Sequence, residues 1–116
     1  GFANVPKNIM LSWEKMIINY LENRKNISAM FIAVDIRRGI EKLDKTMITL
    51  CQNYNIKTNI IITKSDKVSK SERSIMKQKV KKELQEFNNV ANIETFSSKN
   101  GDGVSEVLEI IGDLKN

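Results

Sequence analysis

Residues Thr58–Lys67, with the sequence TNIIITKSDK, decide the fold of this 116-residue chain. Three consecutive isoleucines, Ile60–Ile62, predict a short buried strand because β-branched side chains pack well in a sheet that is covered on both faces. The strand ends at the polar segment Thr63–Asp66, and a helical pattern begins a few residues later. In an open α/β sheet, ligands bind at the carboxyl ends of the strands. The segment therefore predicts a parallel sheet with a polar site where this strand ends.

Strands and helices alternate along the rest of the chain. In chain order the patterns predict a loop over Gly1–Lys7, a helix over Asn8–Arg24, a central strand over Ile27–Val34, a helix marked by Leu43–Tyr54, the Ile60–Ile62 strand, a helix from Ser69 to about Glu86, a strand over Val90–Phe96 and a last helix from about Val104 to Leu114. This order is typical of an α/β domain in which right-handed crossovers join the strands of a parallel sheet. We therefore expect three strands and four flanking helices.

The spacing of apolar residues also predicts which helix faces point inward. In the helix after Ser69 the inner stripe is Met76, Val80, Leu84 and Phe87, and in the last helix it is Val104, Val107, Leu108, Ile111 and Leu114. The outer face of the former carries Lys70, Arg73, Lys77, Lys79, Lys81 and Lys82. Such a face is either solvated or directed toward RNA, and the sequence leaves both open.

Composition excludes several classes of function. The chain has no histidine, which removes histidine-dependent catalysis and histidine-ligated metals, and its single cysteine, Cys51, allows no internal disulfide and is expected in the core. We find no apolar run long enough to span a membrane and no signal-peptide pattern, so no membrane partner is expected. The net charge of +5 suits a nucleic-acid partner without requiring one. Gly1 opens a loop-like stretch without an initiator Met, so we expect a piece of a longer protein.

The polar end of the Ile60–Ile62 strand suits one base in particular. Guanine presents N1–H and an exocyclic N2–H2 along one edge, and the carboxylate of Asp66 can accept both hydrogens. Adenine has no matching pair of donors, so a carboxylate facing it would stay unsatisfied, a loss of roughly 1–3 kcal/mol. The apolar stem of Lys64 can lie over the ring plane. A merely solvated strand end is the alternative.

A second loop supports the base-binding interpretation. Ser97, Ser98 and Lys99 follow the strand over Val90–Phe96, and parallel strands place this loop at the same sheet edge as Asp66. Its small residues can turn a backbone N–H toward an acceptor such as the guanine O6. The candidate nucleotide-binding residues are thus Thr63, Lys64, Asp66, Ser97, Ser98 and Lys99. Asp35 and Arg37 lie at the neighbouring strand end, where they either pair with each other or contact the ligand.

These motifs resemble those of a known family. Thr63–Asp66 is similar to the guanine-specificity motif of translation-factor-class GTPases, and Ser97–Lys99 resembles their second base-contacting loop. Together with Gly1–Lys7, Trp13–Ile17, Tyr20–Arg24, Val34–Arg37 and Thr63–Lys70, they resemble the EngB (YihA) family of ribosome-biogenesis GTPases over essentially the whole chain. Another GTPase of the same superfamily and an α/β RNA-binding module without nucleotide are the alternatives.

The resemblance implies a GTP/GDP-binding protein that acts in assembly of the large ribosomal subunit, with ribosomal RNA or a pre-ribosomal particle as partner. It also implies that residues 1–116 are the C-terminal portion of one GTPase domain of the P-loop, three-layer type. The phosphate loop, the Mg²⁺ ligands and the switch motif would precede Gly1, since no G-x-x-x-x-G-K-[ST] occurs in the chain. We therefore expect no catalytic or metal-binding residues here, and no GTP hydrolysis by these residues alone.

Two further expectations follow from the same resemblance. The Ile27–Val34 strand would normally pair with a strand that precedes Gly1, so its free apolar edge predicts self-association or strand exchange of the isolated fragment, unless the missing half of the domain is present. The compartment would be the cytoplasm in a bacterium or an organelle in a eukaryote.

Overall fold

The computed structural model describes Lys15, Ile27 and residues 29–114. In these residues three strands alternate with three α-helices: β1 (Ala29–Asp35), α1 (Lys42–Asn53), β2 (Lys57–Thr63), α2 (Lys70–Glu83), β3 (Val90–Thr95) and α3 (Val104–Leu114). A single 3₁₀ turn, Ser65–Lys67, connects β2 to α2. The predicted order of elements is confirmed over this range. The remaining predicted helix, Asn8–Arg24, is the first in chain order and lies outside the described residues except for Lys15, which is helical and exposed.

The three strands form one parallel sheet in the order β1-β2-β3. The triple isoleucine lies in the middle strand, and Ile60 and Ile62 are fully buried, as the sequence predicted. The register pairs Asp35 with Thr63, and Ile62 with Thr95. All three strands therefore end at the same edge of the sheet.

The main core lies between one face of the sheet and helices α1 and α2. Ile60 and Ile62 of β2 pack there with Ile48 of α1 and with Val80 and Leu84 of α2. Cys51 is fully buried in a second cluster with Ile56, which confirms its predicted place in the core. The middle strand is thus fixed by apolar packing, and its carboxyl end is held in one place.

The start of α2 is defined by a capping box. The Ser69 hydroxyl accepts the Glu72 N–H at 3.2 Å, and the Glu72 carboxylate accepts the Ser69 N–H at 3.2 Å. Such reciprocal bonds satisfy backbone donors that the first helical turn leaves unpaired. The predicted start of this helix is confirmed. The helix ends at Glu83 with its C-cap at Leu84, earlier than the predicted end at about Glu86.

Two predicted helix faces are partly wrong. On α2 the side chains of Arg73 and Lys77 are only 19% and 30% exposed, because both turn toward carboxylates, whereas the sequence placed them on the outer face. On α3, Leu108 is 62% exposed and Ile111 37% exposed, although both were predicted to point inward. Within the described part of the chain, no helix combines the length and apolar character that a membrane span requires.

Candidate functional site

The loops that follow β2 and β3 lie side by side at the edge where the strands end. Backbone hydrogen bonds continue past the strands: the Ser65 N–H donates to the Phe96 carbonyl at 3.1 Å, and the Phe96 N–H donates to the Ile62 carbonyl at 2.8 Å. Because these bonds join the two loops directly, residues after Thr63 and after Thr95 occupy one site. The sequence-based prediction that both loops share a sheet edge is confirmed.

Asp66 and Ser97 are in direct contact across these loops. The Ser97 hydroxyl donates to Asp66 Oδ1 at 2.8 Å, and Ser97 itself is buried. This hydrogen bond, assisted by the positive charges of Lys67 and Lys99, holds the pKa of the Asp66 carboxyl below its usual value. Asp66 therefore presents an ionised carboxylate whose position is fixed by the neighbouring loop.

The loop after β3 leaves one of its N–H groups available. The other main-chain N–H groups of Ser97–Asp102 donate hydrogen bonds within the loop. Those of Lys99 and Asn100 donate to the Ser97 hydroxyl at 3.2 and 3.3 Å, and that of Gly101 donates to the Ser97 carbonyl at 3.0 Å. The Ser97 N–H donates to the Asp102 carbonyl at 2.9 Å, and the Asp102 N–H donates to the Asn100 side chain at 3.0 Å. In this loop the Ser98 N–H is the one main-chain donor without a partner among the residues that the structure describes. It can donate to an acceptor that enters the site beside Asp66.

Thr63 and Lys64 lie on the other side of Asp66, toward β1. The Thr63 hydroxyl donates to the Val34 carbonyl at 3.3 Å, so its side chain joins the strands in this structure. Lys64 adopts a left-handed backbone conformation with φ +60°, which is uncommon for a residue with a Cβ. Its exposed side chain lies 3.6 Å from Asp35 Oδ2, measured from Nζ. Lys64 is thus held next to the strand ends with its stem accessible.

Asp35 and Arg37, whose roles the sequence left open, form an ion pair. The Arg37 Nε and Nη2 atoms donate to the two carboxylate oxygens at 3.1 and 2.9 Å, and the Arg37 N–H donates to Oδ1 at 2.8 Å. The hydrogen bonds from Arg37 hold the pKa of Asp35 well below its usual range, and the charge of Lys64 adds to this effect. The pair therefore organises the loop after β1.

This lowered pKa predicts how stability changes in acid. Since folding lowers the pKa of Asp35, its stabilising contribution is complete above the ordinary aspartate pKa of about 3.9 and is lost as the pH falls through the lower folded value. We expect wild type to exceed Asp35→Asn in free energy of unfolding by a constant amount at about pH 5–7, and by less below about pH 4. Urea titrations of both proteins across this range measure the difference. A difference that stays constant down to about pH 2 would contradict this assignment.

The carboxylates near the site do not form a cation-binding cluster. A cleft of about 500 Å³ opens beside Lys64 and is lined by charged side chains that include Asp35 and Asp44. Asp35 is paired with Arg37, and Asp44 accepts the Glu41 N–H at 2.8 Å to cap α1. Over the residues that the structure describes, no three acidic or cysteine side chains converge as metal ligands do. These residues do not fit a Mg²⁺ site.

Asp102 is a site residue that the sequence analysis missed. Its carboxylate accepts the Ser65 hydroxyl at 2.6 Å and the Thr95 hydroxyl at 2.9 Å. From the sequence, no role was assigned to the segment Gly101-Asp102-Gly103 that follows Ser97–Lys99. The signal in the sequence was the pair of glycines that flank Asp102, and in the structure both adopt positive φ where the chain passes over the end of β3.

Comparison with known proteins identifies the fold family. Residues 19–116 match the family model described as the Elongation factor Tu GTP binding domain. The chain belongs to this family of elongation factor Tu GTP-binding domains. The matched range includes every strand and helix described above, together with both loops of the site. In open α/β sheets ligands bind at the carboxyl ends of the strands, and Asp66 and Ser98 lie at that edge of this sheet.

Curated relatives and solved structures agree with this family. The chain is 33% identical over 113 residues to the "Probable GTP-binding protein EngB" of Tolumonas auensis, covering 97% of this chain and 53% of that protein. The apo crystal structure of translation elongation factor SelB from Methanococcus maripaludis aligns with a TM-score of 0.75 at 26% identity, covering 98% of this chain and 25% of that one. A crystal structure of a probable GTP-binding protein EngB aligns with a TM-score of 0.63 at 21% identity, covering 95% of this chain and 69% of that one, a likeness of fold alone.

These comparisons confirm the resemblance to EngB and the GTPase-type α/β fold that the sequence predicted. The chain spans about half the length of the curated relatives that it matches.

Proposed function

We propose that this chain supplies the guanine-recognition part of an EngB-type GTP-binding protein. The observation that carries the proposal is the pairing of two complementary groups at one sheet edge. The ionised carboxylate of Asp66 is fixed by Ser97, and the N–H of Ser98 lies uncommitted in the same loop. A carboxylate accepts the N1–H and N2–H2 donors of guanine, and an N–H donates to its O6. The Lys64 stem would cover the ring plane.

Discrimination against adenine follows from the same two groups. Adenine carries an amino donor where guanine has O6, so it would meet the Ser98 N–H donor to donor. Its remaining edge lacks the two hydrogens that Asp66 accepts. A buried polar group that loses its partner costs about 1–3 kcal/mol, which corresponds to a preference for guanine of roughly 5-fold to 150-fold.

GTP hydrolysis is proposed for the intact protein and not for these residues alone. Phosphoryl transfer depends on positioning and neutralising the phosphates, and a bound Mg²⁺ would supply part of that charge compensation. The described carboxylates do not fit Mg²⁺, and the 116 residues contain no phosphate-loop motif. In this proposal the chain selects the base, and other residues of the intact protein hold the phosphates and the metal.

We also propose that the intact protein acts in assembly of the large ribosomal subunit. It rests on the similarity to EngB proteins and on the basic outer face of α2. Lys70, Lys79, Lys81 and Lys82 are exposed there, whereas Lys77 is paired with Glu94 at 3.3 Å. Exposed lysines attract the phosphate backbone of RNA. We therefore propose ribosomal RNA or a pre-ribosomal particle as the partner of this helix.

Competition between nucleotides tests the guanine site. Fluorescent GDP is titrated into the intact protein, and unlabelled GDP or ADP is then added to displace it. We expect GDP to displace the probe at least about fivefold more effectively than ADP, because adenine leaves Asp66 and the Ser98 N–H without complementary partners. Equal displacement by the two nucleotides, or no binding of the probe, would refute guanine recognition.

The double variant Lys81→Glu/Lys82→Glu is the matched control for this experiment. Both residues are exposed on α2, away from Asp66 and Ser97. We expect it to bind GDP as wild type does, while its co-sedimentation with large ribosomal subunits weakens and the salt dependence of that binding decreases. A variant that keeps full ribosome binding would remove α2 from the proposed RNA contact.

A further inference from the structure

Asp102 connects the two loops that the proposed function assigns to base recognition. We propose that Asp102 is a positioning residue: it sets the separation between Asp66 and the Ser98 N–H, and thereby the preference of the site for the 2-amino group of guanine. This inference rests on the proposed guanine site. It adds a residue that touches no nucleotide itself and that acts through Ser65 and through the loop after β3.

The first connection runs from Asp102 to the loop after β2. The Ser65 hydroxyl donates to Asp102 Oδ2 at 2.6 Å, and Ser65 is fully buried. A hydrogen bond of this length to a carboxylate is of the strong, charge-assisted kind. Ser65 is the residue immediately before Asp66, and its own N–H donates to the Phe96 carbonyl. A displacement of Ser65 would therefore also displace the adjacent Asp66, whose carboxylate is proposed to bind the base.

The second connection runs from Asp102 to the loop after β3. Asp102 Oδ2 also accepts the Thr95 hydroxyl at 2.9 Å, and the Asp102 carbonyl accepts the Ser97 N–H at 2.9 Å. Thr95 is the last residue of β3, and Ser97 precedes the free N–H of Ser98. One residue thus holds both loops, through its side chain and its main chain.

Arg73 of α2 closes this cluster. Its Nε donates to the Ser65 carbonyl at 2.9 Å, and its Nη1 lies 3.9 Å from Asp102 Oδ1. Burial raises the pKa of Asp102, but the hydrogen bonds from Ser65 and Thr95 and the charge of Arg73 outweigh it, so the pKa lies below its usual value. The carboxylate is ionised at neutral pH and accepts from both hydroxyls at once.

The separation of the two loops affects the binding of guanine because each loop would bind one end of the same edge of the base. O6 would meet the Ser98 N–H at one end, and the 2-amino group would meet Asp66 at the other. Hydrogen bonds weaken steeply when distance or angle departs from the optimum, so a site that opens slightly loses the contact at one end first. Hypoxanthine keeps N1–H and O6 but lacks the 2-amino group. The ratio of affinities for GDP and for inosine diphosphate therefore reports whether Asp66 reaches that group.

The test compares Asp102→Ala with wild type in the intact protein. Dissociation constants are measured for fluorescent GDP and for fluorescent inosine diphosphate, and the ratio of the two is the readout. We expect Asp102→Ala to lower the preference for GDP at least about fivefold, because loss of a charge-assisted hydrogen bond shifts an equilibrium by that much or more. Ser65→Ala removes the same contact from its other end and exchanges a buried hydroxyl for a methyl group. It should lower the ratio in the same direction, and it serves where Asp102→Ala does not fold.

Glu94→Ala is the matched control. Glu94 is a partly buried residue of β3, adjacent to Thr95, and its carboxylate accepts a hydrogen bond from Lys77 of α2 at 3.3 Å. It should leave the ratio unchanged. A merely structural role for Asp102 would reduce the folded fraction and lower both affinities by one common factor, so an unchanged ratio in Asp102→Ala and Ser65→Ala would overturn the inference. Failure of the guanine site itself looks different: wild type would then show no preference for GDP over inosine diphosphate or over ADP.

Discussion

Asp66→Asn should lower the affinity of the intact protein for GDP at least about a hundredfold, because two hydrogen bonds to a charged group contribute about 1.5–3 kcal/mol each. The amide nitrogen would also face the N2–H2 donors of guanine with donors of its own. Xanthine has a carbonyl in place of the 2-amino group, and the asparagine amide can donate to it. We expect xanthosine diphosphate to bind the variant more tightly than it binds wild type, so that the order of preference reverses.

Competition titrations with GDP and xanthosine diphosphate measure both halves of this reversal. Asp113→Asn removes an exposed aspartate at the end of α3 and controls for the change in net charge. It should bind both nucleotides as wild type does. If Asp66→Asn retained wild-type affinity for GDP, Asp66 would have no part in reading the base. If it lost GDP without gaining xanthosine diphosphate, Asp66 would be a structural residue, held by Ser97 for the stability of the loop.

The sequence and the structure agree on Asp66 and its partner Ser97. Asp66 could be predicted since three adjacent isoleucines identify a buried strand, and a strand of a parallel sheet delivers the next polar residues to the ligand edge. Ser97 could be predicted because it follows the next strand along the chain. Their contact at 2.8 Å depends on β2 and β3 being neighbours in the sheet, which the tendency of sequential strands to pair favours.

Other parts of the site depend on contacts between residues distant in sequence. Arg73 falls on the polar side of α2 by helical periodicity, yet its guanidinium turns inward because the Ser65 carbonyl and the Asp102 carboxylate lie within its reach. Periodicity describes the direction of a Cβ atom and not the end of a long side chain. The left-handed conformation of Lys64 was likewise unpredictable, since lysine has no preference for it. Here the backbone turns so that the next N–H, that of Ser65, reaches Phe96.

On α3 the predicted burial of the apolar residues differs from the burial observed in the structure. Val104, Val107, Leu108 and Ile111 recur at helical spacing, and this pattern predicted a single inner stripe. In the structure Val104 and Val107 are partly buried, whereas Leu108 is 62% exposed. Apolar spacing therefore marks the face of α3 that is able to pack, and it does not show which residues of that face are buried.

Gly103→Ala should lower the free energy of unfolding of the intact protein by about 3 kcal/mol or more. A Cβ placed on Gly103 would lie 1.9 Å from the Thr95 carbonyl oxygen, and φ is +74°. The obstructing atom belongs to the backbone of β3, so the clash cannot be relieved by a change of side-chain rotamer. Either β3 or the turn must move, and both carry groups that hold the loops of the site.

Gly101→Ala separates this collision from the cost of a positive φ. Gly101 has φ +82°, but no atom lies within 4 Å of the position that its Cβ would occupy. Its substitution should cost about 1–2 kcal/mol, the ordinary penalty for a left-handed residue with a Cβ. Urea unfolding of the two variants beside wild type gives the comparison, and equal losses would show that the approach of Gly103 to Thr95 is not a constraint. A larger loss for Gly103→Ala than for Gly101→Ala would show that the close approach of Gly103 to Thr95 requires glycine. The same approach brings the carboxylate of Asp102 within hydrogen-bond distance of Thr95 and Ser65, so it holds Asp102 over the end of β3.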